Sequence, residues 1–182
     1  MKRIFIFFLL FLPMALQAQS IGQVKFGDVI FSTGLPTDVD CHDPETGEYI
    51  KMGKERREAA LESIERTFGK IASYEEGYNE CQGEHYISVT LTSGDKIGFG
   101  NGCLYDYTIV SPIFLVAADM FDGGLRVGQK PNMKNKEGVI LKQEEDNPSW
   151  YDYYWERSEV YGHFTLDEDG RIKEIGLWVN DC

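Results

Sequence analysis

Between Lys54 and Phe68 the apolar residues Ala60, Leu61, Ile64 and Phe68 recur at helical spacing on one face. Glu62 and Arg66 form an i,i+4 pair on another face, and Gly69 supplies a stop. The spacing predicts a helix over Lys54–Phe68. Further along the period shortens to two. In Tyr86–Leu91 the small or polar Ser88 and Thr90 alternate with larger residues, as a half-buried strand requires. A turn at Ser93-Gly94 and a second strand over Asp95–Gly100 complete a hairpin. Thr108–Val116 is apolar on both faces and reads as a central strand, although Pro112 interrupts it.

The same sequence of signals recurs more weakly downstream. Pro131 suits the first turn of a second helix, which Gly138 weakens. Lys130, Lys134, Lys136 and Lys142 form a basic patch there. Strands are predicted over Trp150–Arg157, Glu159–Leu166 and Arg171–Val179, with a turn at Asp167-Glu168-Asp169-Gly170. Val24–Phe31 reads as a further strand, and Ser32–Glu48 as a long loop. Ile50–Lys54 and Leu125–Gln129 share the order apolar, basic, apolar, Gly, polar. Tyr86–Cys103 and Gly162–Cys182 share a strand, a Gly turn, a basic residue, a strand, then Asn and Cys. Two matches in order suggest a tandem repeat. The expected fold is α+β: two helix-plus-antiparallel-sheet repeats, each a helix then three strands, with the helices on one face of the sheet. Residues 1–18 are assigned to a leader, 19–48 to an N-terminal strand and loop, 49–123 to the first repeat and 124–182 to the second.

The helix, the three strands and the apolar-basic-apolar-Gly opening resemble the beta-lactamase inhibitory protein fold and the outer-membrane assembly lipoproteins of the BamE type. The residues that carry the resemblance are Ile50–Lys54, Phe68-Gly69, Leu125–Gln129 and Asp169–Ile172, within a span of Tyr49–Cys182. It implies a secreted, non-catalytic module that binds other proteins across its sheet.

Lys2 and Arg3 precede an unbroken apolar run over Ile4–Leu12, and Leu16-Gln17-Ala18 offers a cleavage site before Gln19. That is the layout of a secretory signal peptide, and the run is far short of a membrane span. Export to the periplasm or the outside is expected. The formal net charge is -12, and loss of Lys2 and Arg3 with the leader makes the mature chain more acidic still. A chain without a positive field is a poor partner for nucleic acid or an anionic membrane.

In an oxidising compartment Cys41, Cys81, Cys103 and Cys182 suggest two disulfides. The hairpin favours Cys81–Cys103, leaving Cys41–Cys182; a bridge of that loop length is worth about 3 kcal/mol. Neither a zinc-type spacing nor a Cys-x-x-Cys is present, so no metal or cofactor is expected.

The densest aromatic stretch holds Trp150, Tyr151, Tyr153, Tyr154 and Trp155, with Tyr161 and Phe164 nearby. In a strand these divide between two faces. One face enters the core and the other exposes rings, which suit a protein partner or a glycan. Tyr105 and Tyr107 stand at the matching place in the first repeat and extend the candidate surface. Asp38, Asp40, Asp43, Glu45 and Glu48 make an acidic loop without the order of a calcium motif. His85 and His163 read as rim residues heading corresponding strands, and His42 as a loop residue. No hydrolase, metalloprotease or phosphate-loop motif occurs, and Gly98, Gly100 and Gly102 lie on a strand end. A non-catalytic binding module is the leading expectation, a carbohydrate-binding module the alternative, and a hydrolase with a site between the repeats a lesser one.

Overall fold

The structure, a computed structural model, describes residues 53–79, 84–100, 103–156 and 160–179. The leader, the N-terminal strand and loop, and the acidic loop fall outside those residues. So do Cys41, Cys81 and Cys182, on which both disulfide pairings depend.

Helix α1 spans Lys54–Phe68, as its periodicity predicts. Glu55 in the first turn and Arg66 in the last complement the helix dipole. Gly69 ends it at φ 113°, its N–H bonded to the Glu65 carbonyl at 3.0 Å. Ala60, Ile64 and Phe68 are buried, and Arg57 pairs with Glu76 at 3.0 Å, fastening the helix to the first strand.

Eight strands follow: β1 (Ile71–Asn79), β2 (Glu84–Leu91), β3 (Lys96–Gly100), β4 (Cys103–Ile109), β5 (Val139–Gln143), β6 (Trp150–Trp155), β7 (Val160–Leu166) and β8 (Ile172–Val179). They form one antiparallel sheet in the order β1-β2-β3-β4-β8-β7-β6-β5. Two four-stranded meanders thus meet along their last strands, where Tyr107, Thr108 and Ile109 face Leu177, Gly176 and Ile175.

This overturns the expected pair of helix-plus-three-strand repeats: the fold is β-rich, with a single helix among the described residues. The second half has no counterpart of α1. Its cover is the irregular segment 110–138, whose Val116, Ala117, Met120, Phe121 and Leu125 are buried. Gly123, Gly124, Gly128 and Gly138 take positive φ there, and Pro112 and Pro131 break the run, so no helix can propagate. The strand expected over Thr108–Val116 stops at Ile109, and Val116 instead bridges Leu125. Strands β1 and β5 were not anticipated, nor was the 103–107 part of β4.

One face of the sheet is the core. Phe68 meets Phe99 at 5.9 Å under α1, and Phe121 meets the Tyr153 ring edge-on at 5.2 Å under the irregular cover. Turn chemistry holds the start of the irregular cover in place. Between β2 and β3, Gly94 takes φ 92°, and the wholly buried Asp95 reaches the far end of β4. It accepts the N–H groups of Val110 and Ser111 and the hydroxyls of Ser93 and Ser111. The other face carries no second layer among the described residues, and its side chains are mostly half-buried or exposed.

Candidate functional site

Register fixes which residues share the open face. One rank crosses all eight strands: Ser73, Thr90, Lys96, Thr108, Gly176, His163, Asp152 and Lys142 stand opposite one another in turn. On either side of it, β6, β7 and β8 add Trp150, Tyr154, Tyr161 and Trp178. These rings form a continuous row. Trp150 stacks on His163 at 4.1 Å and 8°, and His163 meets Trp178 at 5.6 Å. Trp178 lies beside Tyr161 at 6.3 Å and 24°, and Tyr161 beside Tyr154 at 5.5 Å. Trp178 remains 39% exposed.

Polar contacts orient the row. The Trp150 indole N–H donates to Asp152 Oδ1 at 2.7 Å, and His163 Nε2 lies 3.4 Å from Glu174 Oε1. His163 can lie flat because Gly176 is beneath it; a Cβ there would run into the imidazole. Gly77 accommodates the Tyr86 ring in the same way at the other end of the face.

The predicted aromatic cluster is split by strand alternation. Trp150 and Tyr154 belong to the open face. Tyr151 and Trp155 pack against the core, Tyr151 stacked on Phe164 at 5.1 Å. Tyr153 is wholly buried, its hydroxyl donating to the Gly176 carbonyl at 3.4 Å. Tyr107 is only 2% exposed and meets the Tyr153 hydroxyl in the core, where burial raises both phenols above their ordinary range. Neither of these two buried rings is available to a partner. Tyr105 is half-buried and packs against the core, and it also lines a recess beside Asp106. Cys103 opens β4 opposite Gly100.

Other members were not singled out as contacts. Trp178 and Tyr161 follow from the period-two pattern of β7 and β8, which the sequence shows. His163 is a mid-strand member of the row, not a rim residue, and His85 is buried on the core face. Burial lowers the His85 pKa, against an opposing pull from Glu76 and from the Gly77 backbone.

The first half of the face holds a recess of about 180 Å³, lined by Asn79, Tyr86, Ser88, Gly98, Tyr105 and Asp106 among others. A β-bulge builds it. Gly98 faces Asp106 while its neighbour Phe99 faces Leu104, so Tyr105 is the extra residue of β4. Bulges re-aim side chains in this way. Burial raises the pKa of Asp106, opposed by the Gly98 N–H that it accepts.

Among the described residues no three metal-ligating side chains gather, and no helix is long and apolar enough to cross a membrane. No protein-family model matches the chain, and no curated protein and no solved structure matches it. The open face is therefore read from its own chemistry.

Proposed function

We propose that the chain is an exported, non-catalytic binding module that engages a protein partner through the open face of its sheet. The observation that carries the reading is the row Trp150, His163, Trp178, Tyr161 and Tyr154 on a face with no second layer among the described residues. Aromatic rings held rigid by stacking offer large contact area at small entropic cost. The face spans eight strands, which suits another protein surface better than a buried small molecule. Support for export comes from the leader pattern of residues 1–18.

The test is a random-peptide display selection on the immobilised full chain, with a glycan array in parallel. Peptides selected on the wild type should weaken about tenfold or more on Trp178→Ala, the loss typical of a contact ring. They should hold on Ile113→Ala, a control at the 62% exposed Ile113 of the irregular cover. Peptides insensitive to Trp178→Ala overturn the assignment of this face. Glycans that bind in a Trp178-dependent way, with no such peptides, replace the protein partner by a carbohydrate.

A further inference from the structure

Asp106 sits in the recess with its carboxylate across Gly98, where any Cβ would collide with it. It accepts the Gly98 N–H, and none of the ion pairs among the described residues involves it. Asp95 shows what this chain does with an aspartate it needs only for structure: four donors surround it. The half-buried Asp106 has one donor where Asp95 has four, so acceptor capacity and charge are left over in the recess. A cation balances that charge. The walls of the recess add to this, because Tyr86 and Tyr105 line it and aromatic rings attract a cation. One position beyond the pair Tyr107 and Leu177, the next residues on the two strands are Asp106 and Trp178, so the recess adjoins the aromatic row. The surrounding charge has the same sign. The face carries Glu75, Asp106, Asp152 and Glu174 against Lys96 and Lys142, on a chain of net charge -12.

We infer that the recess of Tyr86, Gly98, Tyr105 and Asp106 receives a basic side chain, a lysine ammonium or an arginine guanidinium, from the protein partner of the open face. This rests on the reading of that face as a protein-binding surface. The basic side chain anchors the partner at Asp106, and the aromatic row takes the apolar residues beside it. The upward shift of the Asp106 carboxyl is what an uncompensated site produces, and a bound cation reverses it.

Two experiments on the full chain separate this inference from its premise. In the first, each Lys or Arg of a selected peptide is replaced by norleucine or citrulline. One such replacement should weaken binding to the wild type about tenfold and binding to Asp106→Asn less than about twofold, the signature of direct coupling. Peptides whose basic positions show no coupling to Asp106 overturn the inference and leave the aromatic face intact as a surface. The second uses n-butylammonium as the probe and reads the Gly98 and Tyr105 amide resonances. Saturable shifts in the wild type, absent in Asp106→Asn and absent with n-butanol, support the cation subsite even if the partner is not a protein. Equal responses to butylammonium and butanol, or none to either, overturn it. Asp106→Asn keeps an oxygen for the Gly98 N–H, and an unchanged melting temperature verifies that its fold is retained.

Discussion

Asp95 is buried and Asp106 half-buried, their pKa values shift in opposite directions, and the difference lies in their donors. For Asp95, burial works to raise the pKa, but the hydrogen bonds from Ser111, Ser93 and the Val110 and Ser111 backbone outweigh it, and the net shift is downward. Asp106 has the Gly98 N–H alone against the effect of burial, and its net shift is upward. A carboxyl whose folded pKa is lowered stabilises the fold above its unfolded value, about 3.9, and that contribution is lost as pH falls through the folded value. Asp95→Ala should therefore destabilise the protein by about 3 kcal/mol at pH 7, since it removes charge-assisted bonds and strands buried donors. Urea titrations at pH 7 and near pH 3 measure this, and the gap between wild type and variant should narrow at the lower pH. The sequence shows Ser93-Gly94 as a turn. It does not show that the next residue reaches Val110 and Ser111, because that contact spans strands.

At the scale of elements, strand alternation accounts for most of what was legible and for part of what was not. The α1 stripe of Ala60, Ile64 and Phe68 is read correctly because a single helix face is buried and the period is unambiguous. Strand β1 is harder, since Glu75-Glu76-Gly77 looks like a loop. It is an edge strand whose Glu76 is neutralised by Arg57 of the helix, a pairing invisible in a linear reading. The glycines tell more once register is known. Gly77, Gly162 and Gly176 each lie under a ring from the neighbouring strand, Tyr86, Tyr153 and His163 respectively. Gly176→Ala should lift His163 off the sheet and break its stack on Trp150, destabilising by about 1–3 kcal/mol, as overpacking does. Indole fluorescence and a thermal melt report both effects; an unchanged spectrum would show that the ring does not depend on that glycine.

For the whole molecule, the seam between β4 and β8 joins the two meanders into one sheet with one hydrophobic core. Unfolding should then be a single transition. The helix lies in the first half, whereas Trp150, Trp155 and Trp178 all lie in the second. Helical circular dichroism and indole fluorescence should consequently give coincident denaturant midpoints, while separated midpoints would mean two independent units. Local periodicity in the sequence was enough to define α1, the β2–β3 hairpin and the strands β6, β7 and β8, because short-range sterics and burial of one face act within each segment. The count of helices, the order of strands and the division of the aromatic residues were decided by tertiary structure. Pro112, Pro131 and the glycines at positive φ left segment 110–138 able to cover the core without a helix. Pairing of β6, β7 and β8 brought the rings of one face together, and pairing across β4 and β8 placed Asp106 next to them, since those neighbours are set by register.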